Sequence, residues 1–221
     1  MFTKKYHNDL QILSKAINNR EYLGEREIMT LEKLAPLIGF NQNMEADLHR
    51  VVIDLGCGDR HLKKAVESRG YQYQGYDIHD LDLEKDRLPL EDNSVTIAIS
   101  LAVIEHISNP DVFLSEIYRV LKPGGLIYLS TPNWQMDSRN FFNDPTHVKP
   151  YTPHSLERVL RMFGFKNPKT YPGLRCKPLW FYHGRSRFLK AYYLFPSLSK
   201  SVLLPKFLRG HSRSIFGLAI K

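Results

Sequence analysis

The residues of this chain with the types and spacing to do chemistry are a glycine turn, three aspartates and two histidines. Asp54, Gly56, Cys57 and Gly58 close the apolar run Val51–Leu55 in a hydrophobic-Asp-x-Gly-x-Gly pattern, and Asp77 follows 19 residues after the second glycine. Glycines at the end of a buried strand let the backbone approach a ligand closely. A carboxylate about 20 residues further on, at the end of the next strand, suits the hydroxyl pair of a ribose. Together they describe a nucleoside site. His61 stands where a dinucleotide turn needs its third glycine, and no Gly-Lys-Ser/Thr phosphate cradle occurs. His106 and His147 lie further along, the second three residues after Asp144. An unperturbed imidazole titrates at about 6.5 and can take a proton from a hydroxyl near neutral pH. Asp144 is placed to orient the His147 ring, although the same segment also reads as a turn locked by its own hydrogen bonds.

These groups need elements to hold them. Runs of β-branched and apolar residues predict strands at about 51–55, 71–76, 81–84, 95–100, 124–130, 167–171 and 214–220. Helices are expected near 9–18 and 25–38, over 60–69 with free amides beside the glycine turn, and over 111–121. A further helix is expected over 153–163, with Leu156, Val159, Leu160 and Phe163 on one face. Lys122-Pro123-Gly124-Gly125 is a turn, the proline stopping a helix and the glycines accepting positive φ. The second and third strands are too close for a helix between them, so that flank of the sheet should be trimmed.

The glycine run with its downstream acid resembles the first two motifs of class I S-adenosylmethionine-dependent methyltransferases. Leu88–Ser94 is similar to that family's LPFxDNSFD loop, with Val95-Thr96 where Phe-Asp is usual. Residues 142–152 resemble a DPTHVxPYT loop of several bacterial methyltransferases, which borders the acceptor site there. The resemblance spans about residues 50–165 and points to the small-molecule branch. It implies an α/β fold: a seven-stranded Rossmann-like sheet in the order 3-2-1-4-5-7-6, the seventh strand antiparallel, with helices on both faces. It implies S-adenosyl-L-methionine as cofactor. Asp54 and the turn Gly56-Cys57-Gly58 would face its amino-acid end, Asp77 its ribose, and Asp82-Leu83 its adenine. Ile78, Ser100 and Leu101 complete the expected cofactor set. His147, His106 and Asp144 are the candidate catalytic residues, although Glu105-His106 also reads as a piece of local structure. Ubiquinone-pathway relatives carry Glu-x-x-Glu-His where this chain has Ala102-Val103-Ile104-Glu105-His106, so no metal is expected. Ser100-Leu101-Ala102 replaces the Asn/Asp-Pro-Pro-Tyr/Phe of many amino-methylating enzymes, and no cysteine is placed as a nucleophile. An oxygen acceptor is favoured, on a small molecule or a lipid-linked glycan.

Length and composition agree. A chain of 221 residues, 43% hydrophobic, fits one α/β domain. It divides into N-terminal helices (1–49), a cofactor-binding core (50–176), an insertion (177–210) and a final strand (211–221). No apolar run approaches the roughly 18 residues of a spanning helix, and no signal peptide opens the chain. Cys57 and Cys176 suggest no disulfide framework, so a cytoplasmic location is expected, peripheral at the inner face of the membrane if the basic quarter binds lipid. Residues 158–221 hold 14 Lys and Arg and no acid, while residues 1–157 hold the other 17 and all 23 acids. That asymmetry signals a polyanionic partner. Residues 177–210 interleave eight aromatics with Arg185, Arg187 and Lys190, among other cations, which suits an anionic membrane surface. An RNA methyltransferase and a non-catalytic cofactor-binding subunit stand as alternatives, nucleic acid ranking behind the lipid-linked acceptor.

Overall fold

The structure, a computed structural model, describes residues 20–40, 50–173 and 214–221. The expected helix at 9–18, most of the insertion's flanks and the whole of 177–210 lie outside those residues. Alternating apolar side chains build the centre. Val52, Ile97, Ile99, Leu126, Tyr128, Phe216 and Leu218 point to one face of a sheet, and Ile53, Leu55, Ala98, Ile127, Leu129 and Ile215 to the other. Strands buried on both faces read as continuous apolar runs, as these do.

The strands are β1 (Val51–Leu55), β2 (Gln72–Tyr76), β3 (Val95–Leu101), β4 (Leu121–Pro132), β5 (Lys166–Pro172) and β6 (Ser214–Ile220). They form one sheet in the order β2-β1-β3-β4-β6-β5. β1 to β4 run parallel, and β6 is antiparallel to both neighbours. Helix α1 (Arg20–Leu34), a 3-10 turn (Ala35–Ile38) and α2 (Lys63–Glu67) cover the first face. Helices α3 (Asp111–Val120) and α5 (Pro153–Met162) cover the second, and α4 (Trp134–Phe141) follows β4. Thr152 and Ser155 form a reciprocal capping box that starts α5, and Leu156 and Leu160 are its buried stripe.

Three expectations need correction. Residues 81–84 are not a strand, so the described sheet has six strands and β2 is its edge. Asp82 explains this. Its Oδ1 accepts the amide of Glu84, and its carbonyl accepts the amides of Lys85 and Asp86. An aspartate that bonds its own following backbone competes with a ladder. The helix expected over 60–69 is only Lys63–Glu67, preceded by turns. The amides of Gly56 and Cys57 are not free either, because both donate to Tyr76 O (2.7 and 3.1 Å). The Lys122-Pro123-Gly124-Gly125 turn is a bulge inside β4: Val95 faces Leu121, yet Ile97 already faces Leu126.

Candidate active site

A cleft opens at the carboxyl ends of β1, β2 and β3, where open α/β sheets place ligands. It is lined by Gly56, Gly58, Asp77, Ile78, Leu81, Asp82, Leu83 and Glu84 from one side of the chain's course, and by Ala102, Val103, His106 and Ile107 from the other. Gly56 has φ +77°, and a Cβ there would lie 2.2 Å from Val103 Cγ2. Only a bare backbone leaves room for both walls. A second close approach backs the turn: a Cβ on Gly24 of α1 would meet His61 O at 2.0 Å, so that helix packs against backbone. Asp77 directly follows β2 with its carboxylate set by a local bond, Oδ1 accepting the Ile78 amide at 2.8 Å, while its own amide donates to Asp80 Oδ2.

Six of the ten expected cofactor residues meet in this cleft: Gly56, Gly58, Asp77, Ile78, Asp82 and Leu83. The other four lie behind it. Asp54 is buried and accepts the Tyr73 hydroxyl at 2.7 Å. Burial pushes its carboxyl up to about 7; the Tyr73 bond opposes the rise, and Asp77 and Asp59 add to it. Burial and Asp54 push the Cys57 thiol up to about 11, which leaves it protonated and inert. Ser100 donates its hydroxyl to Leu55 O at 2.9 Å, joining β3 to the end of β1. Leu101 packs against the core. Sequence reasoning missed Leu81, Glu84, Ala102, Val103 and Ile107 as cleft residues. The apolar ones carried no signal beyond hydrophobicity.

Both histidines come to the same place from separate segments. A 3-10 turn (Ile104–His106) follows β3, and the loop after α4 brings His147 back to it, with ring centroids 4.8 Å apart. The loop is pinned by its backbone: Val148 and Lys149 donate to Glu105 O at 2.9 and 3.0 Å. His106 Nδ1 lies 3.1 Å from Thr146 O and 2.8 Å from Thr146 Oγ1, whose hydroxyl donates to Asp144 Oδ1 at 2.6 Å. Those partners assign the proton of the neutral ring to Nδ1. His147 Nδ1 donates to Phe141 O at 2.7 Å, while its Nε2 lies 4.0 Å from Glu105 Oε1 and 3.9 Å from Asp144 Oδ2. Asp144 therefore hydrogen-bonds Thr146 and reaches His106 through it. Burial raises the Asp144 carboxyl, but the hydroxyl and amide of Thr146 and the two imidazoles outweigh it and hold it below the usual range. One ligand atom each from Glu105, His106 and His147 lie within 4.8 Å of one another, so these three are the described residues grouped to hold a cation. The sequence argument against a metal counted the missing acid at Ala102 but not His147.

The cleft fits an adenosyl group by its donor set: a carboxylate at a strand end, apolar Leu81, Leu83, Val103 and Ile107, and a glycine turn too tight for any side chain. A family model described as a methyltransferase domain matches residues 23–169. The chain is 35% identical over 130 residues to a Mycolicibacterium smegmatis protein named as a probable S-adenosylmethionine-dependent methyltransferase, covering 58% of this chain and 48% of that one. It is 29% identical over 145 residues to a ubiquinone biosynthesis O-methyltransferase of Idiomarina loihiensis, covering 56% and 60%. The match thus spans about half of each relative's length. Among solved structures, a SAM dependent methyltransferase from Archaeoglobus fulgidus superposes with a TM-score of 0.56 at 19% identity, over 89% of this chain and 94% of that one. Phosphoethanolamine N-methyltransferase 2 of Haemonchus contortus, solved with S-adenosyl-L-methionine, gives 0.54 at 17% identity, over 86% and 52%. At those identities the likeness speaks for the fold.

Proposed function

Because the chain belongs to the S-adenosylmethionine-dependent methyltransferase family, with that molecule as its methyl donor, we propose that it methylates a hydroxyl of a small or lipid-linked acceptor, such as a glycan sugar. The donor supplies a methyl group already activated by its sulfonium charge. The protein has to align the acceptor oxygen and remove its proton. Asp77 accepts the ribose hydroxyls, and Leu81, Leu83 and Ile107 cover the base. His106 Nε2 takes the acceptor proton, and Thr146 and Asp144 stabilise the imidazolium that results. The observation that carries this reading is the hydrogen-bond chain Asp144–Thr146–His106, which orients a histidine of the cleft wall through its Nδ1. His147 is the second histidine within reach, held by Phe141 O.

The test is methyl transfer from labelled donor with His106→Gln and His147→Gln made separately. His106→Gln should slow turnover by about 10²–10⁴-fold, the usual loss of a general base, with cofactor affinity unchanged. Collapse of His147→Gln alone would move the base to His147. Survival of both within a few-fold would sink the hydroxyl-deprotonation reading.

The lipid-linked part rests on composition, in the acid-free stretch after Glu157 and the aromatic, basic run 177–210. Among the described residues no helix is long and apolar enough to cross a membrane. Each cation near an anionic leaflet contributes about 1 kcal/mol, so a handful gives reversible attachment. Acidic vesicles should capture the protein at low salt, and charge reversal at Arg185, Arg187 and Lys190 should release it with cofactor binding intact. Tight, salt-steep RNA binding with no vesicle capture would favour the RNA methyltransferase instead.

A further inference from the structure

The cofactor cleft is bounded by two segments that no strand or helix holds together. One is the acidic turn around Asp82, which presents Leu81 and Leu83; the other runs from Val103 to Asn109 and presents His106 and Ile107. Each is organised internally. Lys85 and Asp86 donate to Asp82 O in the first, and His106 and Ile107 donate to Val103 O and Ile104 O in the second. Glu84 spans them. It lines the cleft, and its Oε1 accepts the amide of Ser108 at 2.5 Å and that of Asn109 at 3.1 Å, 24 and 25 residues further along. A carboxylate accepting two amides makes charge-assisted bonds, stronger than neutral ones.

We propose that Glu84 is a positioning residue, a clasp that fixes the spacing of the two cleft walls and so sets how long the cofactor stays. Its reach goes further than the cofactor. The Asn109 side chain accepts the Asp111 amide at the start of α3, so the clasped segment is also the lead-in to that helix. Just before it, Glu105 O holds the loop that carries His147, and Lys149 Nζ reaches Ser108 O at 3.5 Å. Glu84 therefore stands in series with the acceptor loop. A wall held by a side chain opens when that side chain is removed, without unfolding anything.

The experiment is the dissociation rate of S-adenosylhomocysteine from the full chain, measured by stopped-flow chase for wild type, Glu84→Ala and Glu84→Gln, with melting points alongside. Alanine should speed dissociation roughly tenfold, equivalent to about 1.4 kcal/mol, and leave the melting point of the free protein nearly unchanged. Glutamine, which keeps an oxygen for the two amides, should stay within about threefold of wild type. A purely structural anchor would lower the melting point and leave the dissociation rate alone. An alanine rate within twofold of wild type, or a glutamine rate as fast as alanine, overturns the clasp. Only the cofactor product is needed, so failure here leaves the hydroxyl acceptor untouched.

Discussion

Replacing Asp54 by asparagine should stabilise the protein at pH 8 and change little at pH 4. In the folded chain the Asp54 carboxyl is pushed up to about 7, first by burial, against 3.8 for the ordinary group. Between those values the unfolded chain has lost a proton that the native state keeps. Each pH unit in that window therefore removes about 1.4 kcal/mol from the wild-type stability. The full contribution is present below pH 3.8 and is gone once the pH has risen through 7. The window is about three units wide, which puts the loss at about 4 kcal/mol by pH 8. Asparagine has no proton to lose, and its oxygen can still accept the Tyr73 hydroxyl. For a chain of this size, 1 kcal/mol moves the melting point by about 2–4 °C, so the two proteins should diverge by roughly 10 °C between pH 4 and pH 8. Urea unfolding of both, without cofactor, measures the difference directly, since every other titrating group is common to the pair. Parallel stability profiles across that range would mean Asp54 is ionised throughout, and the burial argument would be wrong.

Asp77→Ala should weaken S-adenosylmethionine binding by about 2–3 kcal/mol, the scale of one or two charge-assisted hydrogen bonds; calorimetry giving wild-type affinity would remove Asp77 from the ribose. Gly56→Ala should cost at least about 1–2 kcal/mol for a left-handed non-glycine residue, plus the displacement of Val103, and a thermal shift with cofactor titration reads both losses. Thr146→Val keeps the shape of the loop but removes the hydroxyl between Asp144 and His106. Turnover should fall roughly tenfold to hundredfold, less than on losing the base itself, with cofactor affinity unchanged; full activity would mean the chain of hydrogen bonds is incidental.

What was legible in the sequence was what is local. The glycine turn and Asp77, which line the cleft, announce themselves because they are particular residues at fixed positions at the ends of two adjacent strands. The last strand follows from its alternation and helix α5 from the apolar face of Leu156 and Leu160; the antiparallel run of that strand came only with the family resemblance, and the Thr152/Ser155 cap went unread. The segment 81–84 was misleading because Leu81 and Leu83 alternate like a strand while their role is to line a cleft. Ser100, near the end of β3, entered the expected cofactor set through the family resemblance, yet its hydroxyl is used to tie two strands. Thr146 was invisible for a different reason. Its hydroxyl matters only because residues 40 positions apart converge on it, and no pattern along the chain records a meeting of that kind.

The place of β6 has a consequence for how the chain comes off the ribosome. Among the described residues β5 pairs only with β6, and β6 lies between β5 and β4. Some 40 residues separate the end of β5 from the start of β6. At a synthesis rate of about 5–20 residues per second, β5 waits roughly 2–8 s for β6 after it appears. Over that interval β4 presents an unpaired edge from Leu126 to Pro132, the kind of edge that invites pairing with another chain. The strands that build the cofactor cleft, β1 to β3, have already been made. Nascent protein should therefore organise its nucleoside half first and depend on chaperones or speed for the other, and lesions in the seven residues of β6 should show up as aggregation during synthesis rather than as weak cofactor binding.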